Sequence, residues 1–179
     1  MTFQEMLDVE LDRLRRYARL LTGDRDAAHD LLADVLIKAH LRWQRIGRTD
    51  HPAAYVRSMV TNAFLSDKRR WSNRFIRTTR TGELPETAGP HPQASVDQRE
   101  HLGALLSGLP HQQRAAIVLR YYLDLSDDDI AAELGCSAGA VRTYVSRGLS
   151  ALRRRGIDDP PGRLPAVTSP SHHPLGDLG

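Results

Sequence analysis

Cysteine is nearly absent from this 179-residue chain, where Cys136 stands alone. No disulfide can close within the chain, and a zinc site built on several thiolates is excluded. Histidine does not make up the deficit: His29 and His40 are eleven positions apart on one expected helix, and His172 and His173 fall in a proline-rich stretch. Aromatic residues amount to 6%, and no apolar run approaches the roughly 18 residues that a membrane-crossing helix needs. The N-terminal residues lack the basic-then-apolar order of a signal segment, so the sequence reads as cytoplasmic, without membrane insertion. A glycine-rich phosphate loop, a metal-ligand cluster and a nucleophile arrangement around Cys136 are missing too; no cofactor and no enzymatic activity are expected.

Helical periodicity is what the chain does have. Leu7, Leu11, Leu14, Ala18 and Leu21 recur at three and four, which makes residues 4–21 an amphipathic helix that Gly23 ends, with Asp24 capping the next. The second helix carries Ala27, Ala28, Leu31, Leu32, Val35, Leu36, Ala39 and Trp43 on its apolar side, and Asp26, Asp30, Asp34, Lys38 and Arg42 on the other. A turn from Gly47 to His51 leads to Pro52, which suits the first position of a helix because its missing N–H is not needed there. Tyr55, Val56, Met59, Val60, Ala63 and Phe64 continue that helix to about Trp71.

Gly82, Pro85, Gly89, Pro90 and Pro92 then interrupt any apolar period. Order resumes near Val96, where Leu102, Leu105, Leu106 and Leu109 mark a helix and Pro110 restarts another that runs to Tyr122. After Gly156 the composition turns to Pro, Gly, Ser and His, and disorder is expected through Gly179. The fold class that follows is all-α: two small helical domains, residues 1–77 and 96–155, joined by a flexible linker at 78–95 and followed by a disordered tail at 156–179.

The stretch from Ser126 to Arg155 is the most specific. Ser126 can cap a helix whose third residue is Asp129, Gly135 supplies a tight turn, and Ser137 can cap a second helix with Ala140, Val141, Tyr144, Val145 and Leu149 inside. Helix, short turn with glycine, and helix with small and basic outer residues is the helix-turn-helix arrangement, whose second helix enters the DNA major groove. Ser137, Ala138, Arg142, Thr143 and Ser146 are the outward candidates, and Arg142 can read guanine through two donors. Arg147 and the run Arg153, Arg154 and Arg155 suit phosphate. A second basic run, Lys68, Arg69, Arg70, Arg74, Arg77 and Arg80, contains no acid, so the net charge of +3 understates how strongly the chain can meet a polyanion.

Leu109-Pro110-His111-Gln112-Gln113-Arg114, Ile117-Val118-Leu119-Arg120-Tyr121-Tyr122, Leu134-Gly135-Cys136-Ser137 and Ser146-Arg147-Gly148-Leu149 resemble region 4 of the extracytoplasmic-function sigma factors, the small two-domain members of the sigma-70 superfamily. Arg19-Leu20-Leu21-Thr22-Gly23-Asp24, Ala27-Ala28-His29-Asp30-Leu31, Pro52-Ala53-Ala54-Tyr55-Val56-Arg57 and Asp67-Lys68-Arg69-Arg70 resemble region 2. The resemblance implies an alternative sigma factor that binds core RNA polymerase, directs it to promoter DNA through minus-35 and minus-10 elements, promotes opening, and is held silent by an anti-sigma factor. The outward helix-turn-helix residues Ser137, Ala138, Arg142, Thr143, Ser146 and Arg147 then become the minus-35 contacts, while the bases they read are not inherited from the family, because that surface varies with promoter. Minus-10 contacts fall to Arg57, Asn62, Lys68, Arg69 and Arg70, and polymerase contacts to Asp30, Leu31, Asp34 and Lys38. Two departures from the family pattern stand out: His29 and His40, where an acid and an aromatic are common, and the run Asp127-Asp128-Asp129, whose charge opposes close phosphate approach. A dimeric operator-binding regulator is the competing reading of a helix-turn-helix, though no dimerisation heptad or ligand pocket is evident. Cys136 reads as a turn-packing residue, with a redox switch as the alternative.

Overall fold

In the computed structural model, which describes residues 1–66 and 102–155, the first helix is set at both ends by its own sequence. The Thr2 hydroxyl accepts from the Glu5 N–H at 3.2 Å while the Glu5 carboxylate accepts from the Thr2 N–H at 2.7 Å, a reciprocal cap that opens α1 (Phe3–Thr22). Hydrogen bonding from Thr2 to the Glu5 carboxylate, first through the Thr2 backbone N–H and then through its side chain, holds that carboxyl below its ordinary pKa. Gly23 closes the helix in the left-handed region at φ 72°, and Asp24 caps α2 (Arg25–Leu41) by accepting from the Ala27 N–H at 2.7 Å.

Sequence periodicity carried α2 to Trp43, but the helix stops at Leu41 because Arg42 leaves helical geometry at φ −107°, ψ 12°. Trp43 is drawn instead toward the N-terminus: its indole N–H donates to the Met1 carbonyl at 3.2 Å and its ring meets Phe3 edge-on at 5.1 Å. It starts a one-turn helix, α3 (Trp43–Ile46), whose Ile46 is buried. Pro52 begins α4 (Pro52–Ser66), as expected of a residue with no N–H to satisfy. The expected continuation through Lys68, Arg69 and Arg70 to Trp71, the linker and the tail all lie outside the described residues.

In the C-terminal half, residues 102–107 are helical and Pro110 stands just outside α5 (His111–Tyr121). Ser126 caps α6 (Asp127–Leu134) by accepting from the Asp129 N–H at 3.1 Å and donating to the Asp129 carboxylate at 2.6 Å. Gly135 makes the turn at φ 63°, and Ser137 caps α7 (Ala138–Arg153). Gly148 is buried where α7 crosses α5: a Cβ there would stand 2.5 Å from Ile117 Cδ1, so the buried Ile117 side chain would have to move to admit one. Every regular element among the described residues is a helix.

The expected two helical units are present, but they do not stand apart. One apolar core runs from Met6, Leu14, Tyr17, Leu21, Ile46 and Phe64 into Leu106, Ile117, Leu119 and Ile130. Arg114 locks the halves together. Only 4% exposed, it donates from one guanidinium nitrogen to the Leu21 carbonyl at 2.7 Å and the Thr22 carbonyl at 3.2 Å, and from another to the carbonyls of Ser107 and Leu109. The last carbonyls of α1 have no partner within their own helix and lie at the negative end of its dipole, so a cation is what they favour. Burial pulls the Arg114 pKa down to about 10, which leaves it charged at neutral pH. Tyr17 stacks on Tyr122 at 6.3 Å and Phe64 meets His111 at 4.7 Å. Gly23 again requires its bareness, since a Cβ would fall 2.7 Å from the Gly103 carbonyl across the junction.

Candidate nucleic-acid interface

The outward face of α7 is set by its cap. With Ser137 fixing the first turn, the helix presents Arg142, Thr143, Ser146 and Arg147 to solvent and turns Val141, Val145, Gly148 and Leu152 inward. Ser137 itself is exposed, with its oxygen engaged by the Ala140 N–H at 3.2 Å. Ala138, expected to face outward, is partly buried and packs against the core, because it lies three positions before Val141 on the inner side of the helix. Thr143 donates its hydroxyl back to the Gly139 carbonyl at 3.0 Å, which leaves it lone pairs to offer a base edge. Farther along, Arg155 is tied to the Gly108 carbonyl at 3.0 Å, whereas Arg153 and Arg154 are exposed.

The acids at the start of α6 are mostly committed within the fold. Asp127 pairs with Arg120 of α5 through one carboxylate oxygen and with Arg142 through the other at 3.6 Å, and Asp129 is engaged by Ser126. Asp127 thereby ties α5, α6 and α7 together, and its negative charge, one of the three that would oppose phosphate, is balanced by arginine. Cys136 is half-buried in the turn, where burial pushes its thiol pKa up and so lowers the thiolate fraction that a redox switch would need.

In the N-terminal half, Asn62 is exposed on α4 while Arg57 is half-buried. Thr61, between them, is fully buried and sits at the centre of a polar chain: the Tyr17 hydroxyl lies 2.7 Å from Thr61 Oγ1, which in turn donates to the Glu133 carboxylate of α6 at 2.6 Å, with the Arg57 carbonyl at 3.2 Å as its alternative acceptor. Burial, with the Glu133 charge added, drives the Tyr17 phenol well above its usual range.

Asp30, Asp34 and Lys38 form an exposed stripe on α2. Leu31, grouped with them in the sequence reading, is 7% exposed and belongs to the core, since one residue further along a helix turns the side chain by about 100°. The stripe holds two apolar side chains that the sequence reading missed, Ile37 at 61% and Leu41 at 79% exposure. Positions 30, 34, 37, 38 and 41 fall on one helical face, so the missed signal was an apolar pair in the polar register. Among the described residues no group of His, Cys, Asp or Glu is placed to hold a metal ion, and no helix is long and apolar enough to cross a membrane.

Comparison with known proteins bears on both surfaces. Residues 99–152 match the family model described as Sigma-70, region 4, and residues 7–56 match the Sigma2 domain of PhyR. The RNA polymerase sigma-E factor of Streptomyces avermitilis is 32% identical over 151 residues, covering 84% of this chain and 83% of that one. The ECF RNA polymerase sigma factor SigL of Mycobacterium tuberculosis is 32% identical over 143 residues, covering 78% and 80%. Among solved structures, the sigma factor RpoE of Bartonella quintana, crystallised in complex with the anti-sigma factor NepR, superposes with a TM-score of 0.64 at 28% identity over 88% of this chain and 98% of that one.

Proposed function

The chain belongs to the extracytoplasmic-function RNA polymerase sigma factors of the sigma-70 superfamily, and on that premise we propose that it divides promoter recognition between the two exposed surfaces described above. Residues 96–155 act as region 4 and place α7 in the major groove of the minus-35 element, with Arg142 reading a base and Thr143, Ser146 and Ser137 around it. Arg147 and the exposed arginines beyond it meet phosphate and give binding its salt dependence. Residues 1–77 act as region 2: Asn62 contacts the displaced minus-10 strand, with Arg57, Lys68, Arg69 and Arg70 along its backbone. Residues 78–95 connect the two, and 156–179 form a tail.

The α2 face is the polymerase contact. Asp30, Asp34 and Lys38 supply charge, and the exposed pair Ile37 and Leu41 supplies the apolar anchor that an interface core needs. Leu31 supports that face from beneath. The factor works in the cytoplasm, without catalytic chemistry of its own: it selects a site and stabilises opened DNA, while the polymerase performs synthesis. A chain with such a surface invites a protein that covers it when initiation is unwanted, and the likeness to a sigma factor captured with its anti-sigma factor supports an anti-sigma partner here.

The observation that carries this reading is the exposed Arg142, Thr143, Ser146 and Arg147 face on a capped helix inside the region 4 match. Run-off transcription tests it. Adding the purified chain to core polymerase should yield promoter-specific transcripts from its genomic targets, and transcription from those targets that never depends on it would refute the proposal.

A further inference from the structure

We propose that Asp127 is a positioning residue for promoter choice: anchored by Arg120, it fixes the Arg142 guanidinium over the start of α7 and so sets how sharply that arginine discriminates its base. This rests on the reading of Arg142 as a base contact. Three helices meet at the Asp127 carboxylate. From the first turn of α6, its Oδ1 pairs with Arg120 in the last turn of α5, and its Oδ2 faces Arg142 Nη1 at 3.6 Å. Each member of the Asp127–Arg120 pair also suits its own helix end, since an acid is favoured at the positive start of α6 and a cation at the negative close of α5. That pair therefore stands without help from Arg142. Side-chain exposure gives the direction of control: Asp127 is 24% exposed and Arg142 65%, so the sheltered acid is the anchor and the arginine is what it places.

Placement matters because an unrestrained arginine samples many rotamers and meets a phosphate as readily as a base, whereas a held planar fork delivers two donors to one base edge. At 3.6 Å the contact with Asp127 is an ion pair and not a hydrogen bond, so it restricts the guanidinium without using up its donors. The side chain lies back along α7. A Cβ on Gly139 would stand 4.0 Å from Arg142 Nη2, which puts the fork over the first turn, the end that a recognition helix points at base edges. The same carboxylate opposes a phosphate approaching Arg142, while a base edge carries no net charge. Asp127 thus penalises the non-specific partner more than the specific one. The neighbouring acids are placed differently: Asp129 is engaged by Ser126, and Asp128 is exposed.

Base selection by holoenzyme, assembled from the full-length chain and core polymerase, on promoter DNA randomised across the minus-35 element tests the proposal. A bidentate arginine discriminates by roughly 5- to 150-fold at its position. Asp127→Asn keeps the shape of the side chain and removes its charge. It should bring that preference down by at least about fivefold, toward the value for Arg142→Ala. Affinity for non-specific DNA should hold or rise, and its logarithmic salt slope should steepen by up to about 0.9, the contribution of one further phosphate contact. Asp128→Asn removes the same charge from the same turn, so it should raise non-specific affinity likewise and leave the preference as it is. In an Arg142→Ala background, Asp127→Asn should have no further effect on base choice, because the two residues act as one unit. Preference retained in Asp127→Asn, or lost equally in Asp128→Asn, would overturn the positioning role while Arg142 still reads its base. A uniform loss on all sequences with Asp127→Asn would mark the acid as support for the fold of α6 and overturn the role as well. If Arg142→Ala itself leaves base choice unaltered, the underlying reading of Arg142 fails and positioning fails with it.

Discussion

Arg142, on the outer face of the recognition helix, lies 3.6 Å from the carboxylate of Asp127, which is itself paired with Arg120. A guanidinium held on one side presents its remaining donors in a fixed plane, which is what a bidentate contact to guanine requires.

Two substitutions separate orientation from charge. Arg142→Ala should weaken minus-35 binding by about 1–3 kcal/mol and relax choice at one base position, measured by selection from a randomised minus-35 library with holoenzyme. Asp127→Asn should leave total DNA affinity unchanged or raised, because a negative charge is removed, while flattening the preference at that same position. Equal losses on all sequences for Arg142→Ala would mark it as a phosphate contact.

Removing Arg114 should be costly to the fold. Its guanidinium serves carbonyls in both halves, and those acceptors stay buried if it is cut back, so Arg114→Ala should lose about 3–5 kcal/mol in denaturant unfolding. Arg114→Lys should recover only part, since an ammonium cannot reach four carbonyls from one plane. A loss below about 1 kcal/mol would mean that the network is replaced by water.

Ile37 and Leu41 should matter to polymerase and not to folding. Ile37→Asp with Leu41→Asp lies on an exposed face, so stability should move by about 0.5 kcal/mol or less per site, while affinity for core polymerase should fall by tenfold or more, about 1.4 kcal/mol. Unchanged affinity in a competition assay would place the polymerase contact elsewhere.

Alkaline titration reports on the junction through Tyr17. Its pKa in the fold is raised above the ordinary value of 10.0, so the neutral phenol is favoured by folding. The stability contributed this way is fully present below pH 10 and is lost as the pH rises beyond it toward the folded value. Ultraviolet difference titration should show one tyrosine that ionises only as the protein unfolds, and Tyr17→Phe should remove that late step. Ionisation of all tyrosines near pH 10 in the folded protein would contradict the burial of Tyr17.

What could be read from the sequence is local. Gly23 and Asp24 at the first helix junction, Ser126 before α6, Gly135 in the turn and Ser137 before α7 act through backbone geometry within three or four residues, and each stands where its chemistry indicated. The contacts that join the halves link residues 93 positions apart for Arg114 and Leu21 and 72 for Thr61 and Glu133, with no periodicity to announce them. Arg114 was visible only as part of a motif. Leu31 and Ile37 show a subtler failure: both are aliphatic residues on a helix with small amphipathicity, and only packing decides which faces the core. Gly148 looked like one small residue among several until α5 proved to cross it.

Permanganate footprinting of one promoter with holoenzymes carrying Arg142→Ala or Asn62→Ala tests the division of labour most directly, because it separates occupancy upstream from opening downstream. Asn62→Ala is expected to keep the minus-35 footprint and lose thymine reactivity at the minus-10 element, whereas Arg142→Ala is expected to weaken both, because recruitment precedes opening. Full thymine reactivity with Asn62→Ala, or an intact minus-35 footprint with Arg142→Ala, would contradict it.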